Sequence, residues 1–230
     1  MLLYPYALRI LSDVEEAETA LGSFIGVPRG ALRVNAPFSF AVGLLAPMLP
    51  GFLARYPEVR VVLDINNRWI NVGAEEVDLV IRVGDLADSS LIARRLAAVE
   101  LWLCDSPAYL LGRGKPSSVR DLTAHDLISW TDRTVQWTFR GAGGETDQIE
   151  VHPGTVIAEP AALQVLLLGG AGIGRLPDFM ASAAVAKGEL VRVLPDWKPD
   201  TVEVHALYPS HRSLSAKVRV FIDALVDHMQ

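Results

Sequence analysis

Apolar residues recur along this chain with two alternating periods, one typical of helices and one of short buried strands. Apolar runs predict strands at 31–34, 59–65, 79–83, 91–96, 101–104 and 202–207, with further short strands within 128–157 around a glycine turn at 141–144. Helical spacing predicts helices at 41–53, 72–76, 106–112, 119–124, 159–168, 177–186 and 215–229. Strands that alternate with helices indicate an α/β fold with mainly parallel sheets and right-handed crossovers.

The first helix of this series carries two conflicting signals. Ser39 stands at a suitable place for an N-cap, because its hydroxyl oxygen could accept a hydrogen bond from a backbone N–H of the first turn. Pro47 and Pro50 lie further along the same helical pattern, where prolines weaken or kink a helix. The pattern therefore predicts a capped but distorted helix.

Residues 2–25 form a separate pattern, with apolar positions alternately four and three residues apart. These positions are Leu3, Ala7, Ile10, Val14, Ala17, Leu21 and Phe24. The heptad spacing predicts a dimerising contact with a partner helix. An amphipathic helix packed on its own domain would show the same pattern, and three heptads are too few to decide. Gly22, Gly26, Pro28 and Gly30 predict a flexible joint before the first strand.

The composition of the chain argues against several classes of function. Half of the residues are hydrophobic, 21% are charged and the net charge is −6, which indicates a folded globule without the basic surplus of a nucleic-acid module. The first residues lack the basic region of a signal peptide, and no apolar run reaches the ~20 residues of a membrane span. We therefore expect a cytoplasmic protein without a membrane partner. Cys104 lies in an apolar run and is expected to be a buried thiol.

Signals of catalysis or of a cofactor are weak. The five histidines lack the spacing of metal ligands, and no common catalytic motif is present, so we predict no enzyme activity, no metal and no cofactor. The glycine-rich run at 169–174 follows a predicted helix, whereas a dinucleotide-binding loop follows a strand and opens a helix. A tight turn from helix to strand explains these glycines better. The five tryptophans are interpreted as core or wall residues.

Four segments, in order along the chain, resemble the effector-binding domain of LysR-type bacterial transcription regulators. They read GALRVNAPFSFAVGLLAPMLPGFLARYPEVRVVL (30–63), VDLVIRVGDLADSSLIARRL (77–96), GGAGIGRLPDFMASAAVAKGELVRVLPDW (169–197) and VHALYPSHRSLSAKVRVFIDALV (204–226). Residues 8–24 are similar to the end of the linker helix that joins such a domain to its helix-turn-helix. The likeness covers essentially the whole chain.

The resemblance implies a periplasmic-binding-protein-like fold of type 2. It would have a linker helix at 1–28, a subdomain I at 29–101 and 206–230, and a subdomain II at 102–205. Two crossing strands would join these Rossmann-like subdomains, and a small organic effector would bind in the cleft between them. The resemblance also implies a homodimer or homotetramer that contacts DNA only through a helix-turn-helix domain absent from this chain.

Candidate effector-binding residues follow the predicted strands of subdomain I, because ligands of α/β folds bind beyond the carboxyl ends of strands. Pro37, Phe38, Ser39 and Phe40 form the first such turn, where helix N–H groups and the Ser39 hydroxyl could hold a carboxylate. Ser39 could equally be only a helix cap. Asn66 and Asn67 follow the second strand, and Arg82 and Val83 end the third. Arg82 could instead be a structural ion-pair residue.

In subdomain II, Thr131 and the turn Ala158-Glu159-Pro160 are expected to line the cleft. The family often has an asparagine or aspartate followed by glycine and glutamate near 158–161. This chain departs from that pattern, which suggests a different or less polar effector. From the helix N–H groups at the strand ends we expect an organic anion or a polar aromatic molecule. A stand-alone solute-binding protein of the same fold is the alternative function. An enzyme on the same scaffold is a third, which lacks a recognisable nucleophile or metal set.

Overall fold

The computed structural model of the chain describes residues 27–67, 77–86, 91–141, 143–209 and 215–229. The chain divides into two compact units, which we call unit 1 (Met1–Ala97 and Val204–Gln230) and unit 2 (Ala98–Glu203). The predicted dimerising helix with its seven apolar positions lies outside the described residues. The short helix predicted at 72–76 does so too.

Strands and helices alternate in the described residues as the apolar pattern predicts. The strands are β1 (Gly30–Ala36), β2 (Val59–Ile65), β3 (Leu79–Val83), β4 (Leu91–Asp105), β5 (Leu127–Ser129), β6 (Val135–Arg140), β7 (Thr146–Val151), β8 (Thr155–Val156), β9 (Ile173–Pro177), β10 (Val191–Arg192), β11 (Lys198–Pro199) and β12 (Thr201–Pro209). The helices are α1 (Phe38–Arg55), α2 (Pro107–Arg113), α3 (Pro160–Leu168), α4 (Asp178–Ala186) and α5 (Ala216–His228), with a 3-10 helix at Arg120–Ala124.

The structure has one strand where the sequence predicts two. The strands predicted at 91–96 and 101–104 are a single strand, β4. The residues between them are Ala97, Ala98, Val99 and Glu100, and none of these interrupts an extended backbone as glycine or proline would. Val99 is buried and its neighbours Ala98 and Glu100 are exposed, so the two-residue period continues through the gap.

The sheet of unit 1 has the order β2-β1-β3-β12. Strand β1 pairs in parallel with both β2 and β3, and β12 is antiparallel to β3. Helices α1 and α5 pack on this sheet through buried apolar side chains, and the rings of Phe52 and Phe221 meet edge to face with centroids 5.2 Å apart. Because β1, β2 and β3 run in one direction, their carboxyl ends lie together at one edge of the sheet.

Helix α1 continues through both prolines, and only its turns are distorted. Residues Ala41–Leu45 form a π-helical segment just before Pro47, in which the Ala46 N–H bonds the Ala41 carbonyl. Each buried apolar side chain of this helix contributes about 1.5–3 kcal/mol, which offsets the roughly 3 kcal/mol cost of an internal proline. The prediction that Ser39 caps the helix was wrong, because Pro37 is the N-cap residue and Ser39 lies inside the first turn.

Helix α1 is apolar on its exposed side as well as its buried side. By length and composition it is the one helix in the described part of the chain that could cross a membrane. The same property belongs to core helices, and Leu44, Leu45, Met48 and Phe52 are buried against unit 1. The exposed side carries no charged residue from Val42 to Ala54.

Unit 2 has a main sheet of order β4-β9-β5-β8 and a smaller antiparallel sheet of order β11-β6-β7. Strands β8 and β9 are parallel to β5, whereas β4 is antiparallel to β9. Successive residues of β4 point to opposite faces, and so Leu103 packs with Trp137 and Phe139 while Cys104 packs against helices α3 and α4. The main sheet therefore has one hydrophobic core on each face.

The glycine-rich run of unit 2 is the tight turn that joins α3 to β9, as predicted. Gly170 and Gly172 have φ angles of +76° and +143°, a region that side chains disfavour. A Cβ atom on Gly172 would lie 2.3 Å from the Asp126 carbonyl oxygen, so the position also requires the absence of a side chain. Ser106 caps α2 through a hydrogen bond from the Tyr109 N–H, and Pro107 begins the helix.

Candidate functional site

The structure brings the predicted site residues of unit 1 to one edge of its sheet. The turn Pro37–Phe40 follows β1, Asn66 and Asn67 follow β2, and Arg82 and Val83 end β3. The Asn66 N–H donates to the Ala36 carbonyl at 3.1 Å, which joins the ends of β1 and β2 directly. We call these residues the unit 1 edge.

Asn35, the penultimate residue of β1, connects the side chains of this edge. It is fully buried, and its Nδ2 donates to the Asp64 carbonyl at 3.2 Å and to the Asp64 Oδ2 at 3.1 Å. The Arg82 Nη1 donates to the Asn35 Oδ1 at 2.8 Å. Asn66 completes the network, because its Nδ2 donates to the Asp64 Oδ2 at 2.7 Å. The ends of three strands are thus fixed by side chains as well as by the backbone.

Arg82 has a structural partner in this network. Besides the bond to Asn35, its Nη1 donates to the Ile81 carbonyl at 2.8 Å. Burial lowers the pKa of the Arg82 guanidinium, which remains protonated at neutral pH because an arginine does not lose its proton in a protein. The edge therefore carries one half-buried positive charge held in a defined orientation.

The first turn of α1 follows β1 directly and so places backbone donors at the same edge of the sheet. The Ala41 N–H donates to the Pro37 carbonyl at 2.9 Å, and no described side chain forms a capping hydrogen bond at this end of the helix. Ser39 and Phe40 are buried, while Phe38 is 46% exposed. A helix N-terminus combined with a nearby guanidinium favours an anionic group, because both present N–H donors and positive charge.

The predicted residues of unit 2 lie where β5 and β8 end. Ile157, just after β8, donates its N–H to the Ser129 carbonyl at 2.8 Å. The Thr131 N–H lies 3.5 Å from the buried Ser129 Oγ, and the Thr131 Oγ1 accepts from the Arg133 N–H at 3.3 Å. The Glu159 carboxylate is the N-cap of α3, where it accepts from the Ala161 N–H at 3.4 Å.

Ala158 is exposed beside this cap and Pro160 begins α3. Thr131, Ala158, Glu159 and Pro160 thus share one edge of the main sheet of unit 2, because β5 and β8 run in parallel. The Glu159 carboxylate accepts a hydrogen bond from a backbone N–H, so it stabilises the start of α3 whether or not it contacts a ligand.

The sequence reasoning missed Asn35 and Asp64, the two centres of the unit 1 network. Both interrupt apolar strands close to their carboxyl ends, in the runs LRVNAP and VVLDINN. A polar residue at such a place is a usable signal, because a buried polar group must find a hydrogen-bond partner. Which partner it finds depends on the neighbouring strand and cannot be read locally.

Cys104 and Asp105 are the other buried ionisable groups that the fold places close together, at the end of β4. Burial raises the pKa of the Cys104 thiol to about 12, so the thiol stays protonated. The prediction of a buried thiol is confirmed. Burial also raises the pKa of Asp105 to about 7.

Among the residues that the structure describes, no group of three or more His, Cys, Asp or Glu side chains could hold a metal ion.

A domain of two α/β units with strands β4 and β12 passing between them, and with polar side chains at the carboxyl ends of parallel strands, is the architecture of a ligand-binding domain. The family model of the LysR substrate binding domain matches residues 26–230. The chain therefore belongs to the LysR-type regulators and has their type 2 periplasmic-binding-protein-like fold. This confirms the resemblance found in the sequence.

Curated relatives agree with this assignment. An HTH-type transcriptional regulator of Xanthomonas campestris pv. campestris (strain 8004) is 34% identical over 98% of this chain and 67% of its own length. The HTH-type transcriptional regulator CrgA of Neisseria meningitidis serogroup C (strain 8013) is 32% identical over 97% of this chain and 75% of its own. These relatives are transcriptional regulators rather than enzymes, and a stand-alone solute-binding protein is not favoured.

Solved structures show the same likeness. The regulatory domain of CrgA from Neisseria meningitidis is 31% identical, with a TM-score of 0.77 over 88% of this chain and all of that one. The full-length Vibrio cholerae virulence activator AphB is 29% identical, with a TM-score of 0.75 over 98% of this chain and 77% of that one.

Proposed function

We propose that this chain binds a small organic molecule, an organic anion or a polar aromatic, and that binding controls transcription. DNA would be contacted by a helix-turn-helix domain outside this chain. The observation that supports the proposal best is the network of Arg82, Asn35, Asp64 and Asn66, which holds polar side chains at the carboxyl ends of three parallel strands. Such preorganisation lowers the entropic cost of binding a ligand.

The ligand would contact the unit 1 edge through the start of α1. The N–H donors that follow Pro37, those of Phe38, Ser39 and Phe40, would bind its anionic or polar group together with the Ser39 hydroxyl. Phe38, which is partly exposed, would contact its apolar part. Asn66, Asn67, Arg82 and Val83 would complete this side. Thr131 and Ala158–Pro160 of unit 2 are proposed to contact the same ligand, which stays a prediction from the family resemblance.

A thermal-shift screen of metabolites tests this function directly. A ligand present at about 100 times its Kd adds about 2.7 kcal/mol to the free energy of unfolding, and so raises the melting temperature. For a ligand so found, Ser39→Ala is expected to weaken binding by about 0.5–1.5 kcal/mol, or up to about 3 kcal/mol if the bond is to an ion. Ser182→Ala, an exposed change on α4, is the matched control and should have no effect.

The result would contradict this assignment if the affinity were unchanged by substitutions at Ser39, Asn66 and Thr131 together. Normal melting of the ligand-free variants is required, because Ser39 and Asn66 also contribute to the fold of unit 1.

We further propose that the chain assembles as a homodimer or homotetramer. Two helices expose apolar faces without charged residues, which is the composition of an interface core. On α1 the exposed residues are Val42, Ala46, Pro47, Pro50, Gly51, Leu53 and Ala54. On α3 they include Ala162, Val165 and Leu168, of which Val165 is 67% exposed. The heptad pattern in residues 2–25 would add a second contact between copies.

Sedimentation tests the assembly. The chain should sediment as a dimer or larger at micromolar concentration, and Val165→Glu should shift it toward the 25.0 kDa monomer, because an interface would bury the new charge. Leu111→Glu is the matched control, since Leu111 on α2 is 90% exposed and outside both faces. Deletion of residues 1–25 should lower the assembly order without unfolding the domain. A wild-type chain that is purely monomeric would overturn the proposal.

The proposal assigns this chain neither catalysis nor DNA binding of its own. A regulator that acts on DNA would work in the cytoplasm. With a net charge of −6, the chain lacks the cationic surplus that gives DNA affinity through counterion release. An operator-specific, salt-sensitive gel shift with this chain alone would contradict that part of the proposal.

A further inference from the structure

Arg175 stands in the middle of β9, an otherwise apolar strand, and packs among tryptophans. Its guanidinium carbon lies 4.8 Å from the centre of the Trp137 ring and 5.9 Å from that of Trp130. Trp137 is almost completely buried, while Arg175 and Trp130 are half-buried. All three residues belong to unit 2.

This cluster is rich in donors and poor in acceptors. The Arg175 guanidinium forms no hydrogen bond or salt bridge with the residues that the structure describes; its recorded contacts are the two rings. The Trp130 and Trp137 Nε1 atoms are both buried, and neither has a hydrogen-bond acceptor in the described part of the chain. Asp200 is near enough to act on the charge of Arg175 but forms no salt bridge with it.

Unpaired donors of this kind destabilise the fold unless a hydrogen-bond acceptor binds to them. A desolvated cation without a paired anion loses hydration free energy, and a buried indole N–H without an acceptor costs about 1–3 kcal/mol. The burial of Arg175 lowers its pKa to about 10, with Asp200 acting weakly in the opposite direction. Stacking on a tryptophan holds the planar guanidinium in place and leaves its N–H edges open for a carboxylate.

We propose that unit 2 carries an anion-binding site at Arg175, in which the guanidinium stacked on Trp137 beside Trp130 binds the carboxylate of a small organic acid. An aromatic acid fits best, because Trp130 offers a half-buried ring for stacking. This inference goes beyond the proposed function: none of its residues belongs to the unit 1 edge, and the site would stand if that edge bound nothing.

The test follows the indole N–H signals of the ¹⁵N-labelled chain by NMR, with Trp130→Phe and Trp137→Phe to assign the two signals. Benzoate is the probe and benzamide its uncharged control. We expect benzoate to shift at least one of the two signals saturably, with a Kd on the order of 1 mM. Benzamide should bind at least about tenfold more weakly, because it lacks the charge that pairs with the guanidinium.

Three variants decide the role of Arg175. Arg175→Gln should abolish the benzoate shift, and Arg175→Lys should weaken it, since an ammonium keeps the charge but loses the planar pair of donors. Asp200→Asn should strengthen benzoate binding, because it removes the nearest competing carboxylate. This variant keeps the proposal testable if the Arg175 variants unfold.

Equal shifts with benzoate and benzamide would overturn the proposal, and so would a benzoate shift that survives in Arg175→Gln. The absence of any shift into the tens of millimolar would also overturn it. If Asp200→Asn instead lowers the melting temperature and leaves benzoate without effect, Arg175 is a structural cation balanced by Asp200 and not a ligand site.

Discussion

Units 1 and 2 differ in how their polar side chains are hydrogen-bonded. In unit 1, Asn35, Asp64, Asn66 and Arg82 bond one another, and Lys217 meets Asp78. In unit 2, four side chains keep a buried polar atom without a hydrogen-bond partner among the described residues. They are Asp105, His125, Trp130 and Trp137.

This difference predicts that the two units respond differently to ligands and to pH. A network whose members satisfy one another holds the same geometry with or without a ligand, and so the unit 1 edge is preorganised. Buried groups without partners carry an unrelieved desolvation cost, which a proton or a bound anion can relieve. Unit 2 is therefore expected to respond more strongly to pH and to anions than unit 1.

The largest expected effect is the pH dependence of Asp105. Burial raises its pKa to about 7, above the ordinary 3.8, so between these values the folded chain keeps a proton that the unfolded chain has lost. The free energy of unfolding therefore falls as the pH rises through this interval. The side chain of Asp105→Asn cannot ionise. The difference between the free energies of unfolding of the variant and the wild type should therefore change in favour of the variant by roughly 2–4 kcal/mol as the pH rises from about 4 to about 8, as measured by urea unfolding.

Asp121→Asn is the control for this prediction, with the opposite sign. Hydrogen bonds from Ser117 and Ser118 lower the pKa of Asp121 to about 2, so its stabilising effect is present above the ordinary pKa and disappears as the pH falls toward 2. The Asn variant should therefore be less stable than wild type near neutral pH only. A pH-independent difference between Asp105→Asn and wild type would show that Asp105 is not protonated in the folded chain.

The next effect concerns the centre of the unit 1 network. Asn35→Ala removes bonds to Asp64 and Arg82 at a fully buried position, and should lower the free energy of unfolding by about 2–3 kcal/mol in urea. Asn66→Ala removes one bond at the exposed end of the same network and should cost about 0.5–1 kcal/mol. Equal effects of the two changes would mean that the network does not depend on Asn35.

A smaller effect is expected at the ion pair of unit 1. The Lys217 Nζ lies 3.5 Å from the Asp78 Oδ2 and also donates to the Ala31 carbonyl. Lys217→Met should cost about 2 kcal/mol, less than most buried pairs, because Asp78 keeps the Arg33 N–H as a donor at 2.8 Å. Arg94→Met breaks an exposed pair with Asp223 and should change the stability by less than about 0.5 kcal/mol.

The smallest effect compares one cation–π contact in each unit. The Arg192 guanidinium of unit 2 lies 4.2 Å from the Trp102 ring and is half-buried, whereas Arg55 of unit 1 lies 5.5 Å from the Tyr56 ring and is exposed. Arg192→Gln should cost about 0.5–1 kcal/mol, and Arg55→Gln less. The melting temperatures of both variants check this order, and the reverse order would contradict it.

Much of the fold could be predicted from local pattern. Strands β2 and β3 begin and end at the predicted residues. Where an end of helix α2, α3 or α4 differs from the prediction, it differs by one residue. These elements were predictable because apolar periodicity and caps such as Ser106-Pro107 act within a few residues. The same local reasoning misplaced the cap of α1 at Ser39 and divided β4. The gap in β4 contains no residue that interrupts a strand, and the N-cap of α1 lies two residues earlier, at Pro37.

The candidate site was predicted only in part. The turns after β1, β2 and β3 were identified because strand ends bind ligands in α/β folds. Asn35 was not, because its importance depends on Asp64 beside it in the sheet. Arg175 was not singled out either, since the residues that surround it come from other strands.

The sequence by itself determined the order of the elements and the family, because periodicity, caps and glycine turns are local and the family segments follow one another along the chain. Only the tertiary structure decided which polar groups meet. Asn35 bonds Asp64 across 29 residues and Arg82 across 47, and such pairs form because parallel strands bring distant carboxyl ends to one edge of a sheet. That choice depends on strand order and register, which no local pattern encodes.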